Sequence, residues 1–244
     1  MEHILKVNNL SKSFGGVHAL ADVSFQINTG EMLGLIGPNG SGKSTCINVI
    51  SGVYSSDAGE VLYYGKNILK SGIAKRSKLG IGRTFQSPKP FTGISVFDSV
   101  FTIALQANSF KHAADKAEET LDMTGLLEFR NMPSEKLSIE LRKWLDLARI
   151  LVTNPKLIML DEVMAGLNPS EMSASIDLVR KVNETGVTIL FVEHVMKAVV
   201  SLCKRIVVLN EGRVLCEGMP EDVMRNPEVI AAYLGGGYAS AAAQ

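Results

Sequence analysis

The fold is decided by one stretch of the sequence, Met32-Leu33-Gly34-Leu35-Ile36-Gly37-Pro38-Asn39-Gly40-Ser41-Gly42-Lys43-Ser44-Thr45. Its second part, from Gly37 to Thr45, fits the pattern G-x-x-x-x-G-K-[ST] of a phosphate-binding loop. The apolar first part predicts a buried strand, and residues 46–50 can continue the chain as a helix. The motif therefore stands in the strand–loop–helix context that it requires, which an accidental glycine-rich turn does not explain.

Each residue type in this loop has a physical task at a phosphate group. Glycines let the backbone turn so that several N–H groups point at one anion. The helix that starts near Lys43 adds the positive end of its dipole. Lys43 can reach the β- and γ-phosphates, and the hydroxyl of Ser44 can bind Mg²⁺. The loop is therefore the predicted binding site of a nucleoside triphosphate.

Length and composition fit one large α/β domain, or one domain with an inserted subdomain. The 244 residues include 25 basic and 25 acidic ones, and this zero net charge makes nucleic acid an unexpected partner. We expect Cys46, Cys203 and Cys216 to pack as small apolar residues, since their wide spacing suits neither disulfides nor a metal site. The sequence shows no signal peptide and no apolar run near the ~20 residues of a spanning helix. A role at a membrane would therefore need another chain.

Apolar periodicity and turn residues place the remaining elements. Besides residues 32–36, the predicted strands are 3–9, 20–28, 61–64, 81–86, 157–160, 187–192, 206–210 and 213–216. The predicted helices are 43–51, 73–78, 139–152, 170–184 and 195–203, with a further helical pattern over about 95–132. We expect a loop over 57–60 and a disordered tail over 235–244.

Two acidic residues follow one of the apolar strands at the point where it ends. Asp161 and Glu162 come directly after residues 157–160. Because ligands of open parallel sheets bind at the carboxyl ends of the strands, Asp161 is a candidate ligand of Mg²⁺. Glu162 is placed to accept a proton from an attacking water as a general base. The alternative is a solvated acidic turn, in which the two charges would repel each other.

Two further strand ends carry polar residues of weaker individual signal. Glu193 and His194 follow residues 187–192, and His194 could donate to the γ-phosphate and orient the water. A lone histidine after a strand is more often structural. Gln86, at another strand end, could touch Mg²⁺ and water.

Taken together, five elements resemble the ATP-binding cassette (ABC) ATPases in order and spacing. They are Gly37 to Thr45, Thr84-Phe85-Gln86, Lys136-Leu137-Ser138, Leu157 to Glu162, and His194. The resemblance covers about residues 4–234. It implies a RecA-like α/β core with an antiparallel β subdomain and a helical subdomain of about residues 88–152. It also implies ATP and Mg²⁺ as ligands.

The resemblance implies a role for each matching residue. Phe14 would stack on adenine, although core packing is a rival explanation. Gln86 would join Ser44 and Asp161 at the metal and link it to the membrane partner. Glu162 would be the base, His194 the γ-phosphate switch, and Ser138 would face the ATP of a partner subunit. Residues 165–168 would form the loop that crosses to the partner's site.

Within the family, the chain resembles the ATP-binding subunits of branched-chain amino-acid importers. The matching segments are residues 11–16, 160–169, 192–196 and 217–235. This implies a second ABC ATPase subunit in a homo- or heterodimer, transmembrane permease subunits and, indirectly, a periplasmic or extracytoplasmic solute-binding protein. The chain would lie at the cytoplasmic face of the inner (plasma) membrane, bound through the permease. The alternatives are an exporter or lipid-extraction ATPase, a non-transport ABC ATPase, and a small-molecule P-loop kinase.

The signature of the family, usually Leu-Ser-Gly-Gly-Gln, is altered in this chain. It reads Leu137-Ser138-Ile139-Glu140-Leu141. A carboxylate at Glu140 repels a nearby phosphate unless it turns away or pairs with Arg142 or Lys143. We therefore hypothesise that the composite ATP site using this signature is the weaker one of a heterodimer.

Overall fold

A computed structural model describes residues 2–85, 91–106 and 108–233. The strands are β1 (His3–Phe14), β2 (Val17–Asn28), β3 (Met32–Ile36), β4 (Ala58–Tyr63), β5 (Lys66–Asn67), β6 (Ile81–Arg83), β7 (Leu157–Asp161), β8 (Thr188–Val192), β9 (Arg205–Asn210) and β10 (Arg213–Gly218). The helices are α1 (Lys43–Ser51), α2 (Ile73–Lys78), α3 (Val96–Ala104), α4 (Phe110–Met123), α5 (Ile139–Leu151), α6 (Pro169–Glu184), α7 (Met196–Leu202) and α8 (Pro220–Val223). Within these ranges no helix has the length and apolar character needed to cross a membrane.

The central sheet has six strands in the order β10-β9-β3-β8-β7-β6. The neighbours from β9 to β6 are parallel, and β10 is antiparallel to β9. Every residue of β3, β7 and β8 is buried, which explains their continuous apolar runs. Leu33 and Leu35 pack into the core on one face, whereas Met32 and Ile36 pack on the other. The predicted α/β architecture is confirmed.

A second, antiparallel sheet has the order β2-β1-β4-β5. Its first two strands are longer than predicted, since pairing continues through exposed residues until Phe14 meets Val17 at the hairpin turn. The loop predicted over 57–60 is wrong, because β4 starts at Ala58, which pairs with Ser11. Pairing with β1 overrides the turn preference of this glycine-containing segment.

Helices α3, α4 and α5 lie between β6 and β7 in the chain and share an apolar cluster of their own. Ala113, Ala117 and Leu121 are buried in that cluster, as their helical spacing predicts. The predicted start of the inserted subdomain near residue 88 and the predicted tail over 235–244 lie outside the described residues.

The sheet order brings the candidate residues to one edge. The phosphate loop leaves the carboxyl end of β3, while Glu193 and His194 follow β8. Asp161 ends β7 and Glu162 follows it. Because these strands are parallel neighbours, four separate sequence segments, the fourth after β6, converge on one crevice.

Candidate nucleotide-binding and hydrolysis site

Two glycines of the phosphate loop cannot be replaced without moving backbone. Gly42 is the N-cap of α1, and its φ is +104°. A Cβ on Gly42 would lie 2.5 Å from the carbonyl oxygen of Ala19, and one on Gly37 would lie 2.1 Å from that of Leu209. The loop is therefore held in a conformation that only glycine allows, directly before the first free N–H groups of a helix.

Two polar side chains of the loop fit a phosphate ligand. The hydroxyl of Ser41 is buried and has no hydrogen-bond partner within the part of the chain that the structure describes. Lys43 is only 6% exposed, and its Nζ donates to the carbonyl oxygens of Gly37 at 2.8 Å and Pro38 at 3.0 Å. Burial lowers the pKa of Lys43, whereas the charges of Glu162 and Asp161 raise it. An unpaired hydroxyl, an ammonium group and a helix N-terminus thus meet where a triphosphate would bind.

Asp161, the candidate metal ligand, is buried and paired with Arg83. The Arg83 Nη2 lies 3.1 Å from Asp161 Oδ2, and Nη1 donates to Asn48 Oδ1 at 2.6 Å. Burial raises the pKa of Asp161, while the Arg83 guanidinium lowers it. The Asp161 N–H donates to Thr84 Oγ1 at 3.1 Å, which ties β7 to the segment after β6. Sequence reasoning missed Arg83, because it lies inside the predicted strand 81–86 and is the last residue of the strand only in the structure.

Glu162 adopts a backbone conformation that is rare for its residue type. Its φ is +51°, and its N–H donates to the carbonyl oxygen of Val192 at 2.9 Å. Strained backbone of this kind clusters at functional sites. The Glu162 Oε1 lies 3.9 Å from His194 Nδ1, and the side chain of His194 is 49% exposed. The structure therefore brings together the carboxylate and the imidazole that the sequence predicts as a hydrolytic pair.

Ser138 caps α5, as its place before this helix suggests. Its Oγ accepts a hydrogen bond from the Leu141 N–H at 3.3 Å. Of the two ways in which Glu140 could avoid repelling a phosphate, pairing with Arg142 or Lys143 is not seen among the described residues, since both cations donate to main-chain carbonyl oxygens. Burial and the charge of Glu171 raise the pKa of Glu140.

The remaining two predicted residues are Phe14 and Gln86. Phe14 is 44% exposed at the end of β1, which does not fit core packing, and Tyr54 contacts its ring edge-on at 5.2 Å between centroids. Gln86 lies outside the described residues, so its predicted contact with the metal stays a prediction.

This fold and this crevice define a P-loop nucleotide-binding protein with a parallel sheet, an added antiparallel sheet and a helical insertion. A family model for the ABC transporter matches residues 20–165, and one for the branched-chain amino acid ATP-binding cassette transporter matches residues 213–239. The chain belongs to the ABC transporter ATP-binding proteins.

Similar proteins agree with that assignment. The high-affinity branched-chain amino acid transport ATP-binding protein LivG of Escherichia coli K12 is 35% identical, over 95% of this chain and 98% of LivG. A solved ATP-binding cassette of an ABC transporter in its ADP conformation has a TM-score of 0.88 and 31% identity, covering 96% of this chain and 100% of that structure. A dimeric ATP-binding cassette bound to ADP and Pi has a TM-score of 0.79 and 27% identity, covering 88% of this chain and 98% of that one.

Proposed function

We propose that this chain is the ATP-binding and ATP-hydrolysing subunit of an ABC importer. The transported molecules would be branched-chain or other hydrophobic amino acids or related small solutes. One observation carries the hydrolytic part: Lys43, Asp161, Glu162 and His194 meet at the carboxyl ends of adjacent parallel strands. The transport part is supported by relatives named as branched-chain amino acid transport ATP-binding proteins.

Different residues of the crevice bind the phosphates, the adenine and the metal ion. The loop from Gly37 to Thr45 binds the phosphates, and Phe14 stacks on the adenine. Ser44, Asp161 and Gln86 hold Mg²⁺, which neutralises phosphate charge when it is bound.

The reacting water is handled by two side chains. Glu162 accepts its proton, and His194 orients it and donates to the γ-phosphate.

The proposed transporter contains further subunits. Two ATPase subunits would sandwich two ATP molecules, each between one subunit's phosphate loop and the Ser138 region of the other. A solved dimeric cassette bound to ADP and Pi supports the dimer. ATP favours the closed dimer, and hydrolysis reopens it. Residues 87–98 would receive a transmembrane permease subunit at the cytoplasmic face of the inner membrane, and a solute-binding protein would deliver the solute.

Glu162→Gln tests the hydrolytic assignment. The amide keeps the shape of the side chain but cannot accept a proton, so the variant should bind ATP within about twofold of the wild type. Turnover should fall by about 10²-fold or more, within the range of general-base catalysis. The measurement is Mg²⁺-dependent phosphate release from the assembled complex without any acceptor. Glu184→Gln, an exposed carboxylate at the end of α6, is the matched control. Full activity of Glu162→Gln would refute the base assignment, and phosphate release only with an acceptor would favour a kinase.

A further inference from the structure

A fully buried carboxylate, Glu193, lies between the loops that carry Glu162 and His194. Glu193 is 0% exposed. Its Oε1 accepts a hydrogen bond from the Met164 N–H at 2.7 Å, and its Oε2 accepts one from the His194 N–H at 3.3 Å. A buried charge is costly unless hydrogen bonds and opposite charge compensate it. Glu193 is compensated by the main chain of the two loops that carry the predicted chemistry.

Lys143 holds the first of these loops from the side of α5. Its Nζ donates to the carbonyl oxygens of Val163 at 3.1 Å and Ala165 at 2.5 Å. Because the N–H of Met164 is bound by Glu193, three consecutive residues each have a main-chain group fixed by a charged side chain. Burial lowers the pKa of Lys143 and the charge of Glu193 raises it, so the two opposite charges act on each other near this loop.

The loop fixed in this way begins at Glu162. The Glu162 carbonyl oxygen accepts a hydrogen bond from the Ala165 N–H at 3.3 Å, which closes a turn over these four residues. The backbone of Glu162 is in the left-handed region within that turn. The direction of its carboxylate therefore depends on a turn in which Glu193 binds the Met164 N–H and Lys143 binds the carbonyl oxygens of Val163 and Ala165.

We propose that Glu193 and Lys143 are positioning residues that hold Glu162 and His194 in one fixed arrangement. Lys143 belongs to α5, so it also ties this arrangement to the signature at the start of the same helix. Neither side chain needs to touch the nucleotide, because both act through the main chain of the two loops. The inference rests on the proposed hydrolysis of ATP and names two residues that this hydrolysis requires.

Glu193→Ala in the full chain, assembled in its complex, is the first test. The turnover number should fall by at least about tenfold, because a misplacement of Glu162 by a fraction of an ångström is enough to lower the rate. The affinity for ATP should stay within about twofold, because the phosphate loop is untouched. Glu193→Gln keeps an acceptor for the Met164 N–H and should retain more turnover than Glu193→Ala. Asn183→Ala is the matched control, since it removes hydrogen bonds to the carbonyl oxygens of Gly30 and Val187 at the opposite end of the central sheet, and its turnover should match the wild type.

A combined variant separates positioning from damage to the fold. If Glu193 acts through Glu162 and His194, adding Glu193→Ala to a variant that carries both Glu162→Gln and His194→Ala should cause no further loss of the residual rate. A clear further loss, wild-type turnover in Glu193→Ala, or an equal loss of ATP affinity and turnover would overturn the inference. If Glu193→Ala does not fold, Lys143→Met carries the same test with the same expected split. A wild-type complex that releases no phosphate would instead overturn the proposed function itself.

Discussion

At the scale of single residues, Arg83 and Asp161 form a buried ion pair in the crevice. The two side chains are 10% and 8% exposed. Because water screens them little, removing one partner leaves an uncompensated buried charge. Arg83 thus stabilises in advance the carboxylate that is proposed to hold Mg²⁺.

Arg83→Met should lower the free energy of unfolding by roughly 3–5 kcal/mol, the usual effect of breaking a buried pair. The measurement is urea unfolding in the absence of Mg²⁺ and nucleotide. The charge explanation also predicts that Arg83→Met combined with Asp161→Asn is less destabilised than the two single effects would add up to.

Arg180→Met is the matched control, because its partner Asp177 is 70% exposed. Breaking that surface pair should cost at most about 1 kcal/mol. Equal losses for Arg83→Met and Arg180→Met, or strict additivity with Asp161→Asn, would contradict the role given to Arg83.

Some residues of the crevice can be predicted from the sequence, and others cannot. The phosphate loop, Asp161 and Glu162 are readable because each motif is local and parallel strands present their carboxyl ends at one edge. Arg83 and Asp161 are 78 residues apart, and no local sequence pattern predicts their contact. The burial of Glu193 is hidden for the same reason, since the Met164 N–H that it binds is 29 residues away in the chain.

At the scale of elements, local signals predict helices better than the strands of the antiparallel sheet. Helices α1 and α2 have the predicted bounds, and at α1 a local signal is present in the glycine that caps its end. The lengths of β1, β2 and β4 were mispredicted, because their ends are set by pairing between strands that are distant in sequence.

The start of α5 carries the altered signature, and Glu140 lies in its first turn. A carboxylate there interacts favourably with the dipole of its own helix, but in the proposed dimer it would repel the γ-phosphate of an ATP bound by the partner subunit. Glu140→Gly should therefore raise the ATPase activity of the assembled complex, despite a loss of about 1 kcal/mol in helix stability.

Glu140→Gln separates the effect of the negative charge on the ATPase rate from the effect of the backbone in that experiment. A rise with both variants assigns the effect to the carboxylate, whereas a rise with glycine alone assigns it to close approach of the main chain to phosphate. The measurement is the steady-state rate of phosphate release. An unchanged or lower rate with both variants would contradict the account of a weakened signature.

At the scale of the whole molecule, the intact phosphate loop and the altered signature would belong to different ATP sites of the proposed dimer. In the proposed dimer, the loop around Lys43 works with the signature of the partner subunit, and Ser138 works with the loop of the partner. If the partner subunit has an ordinary signature, the site built on Lys43 should hydrolyse most of the ATP. The chain would then be the main hydrolytic half of an asymmetric pair.

Two complexes, each with one damaged loop, test this asymmetry. Lys43→Ala removes the ammonium group that binds the phosphates, so it should abolish nearly all ATPase activity of a heterodimeric complex. The same substitution in the partner's phosphate loop should leave a much larger part of the ATPase activity, because it inactivates only the ATP site that uses residues 137–141. The measurement is phosphate release from both purified complexes, with equal assembly verified by mass. Equal losses would mean that the two sites turn over together and that the altered signature does not set their difference.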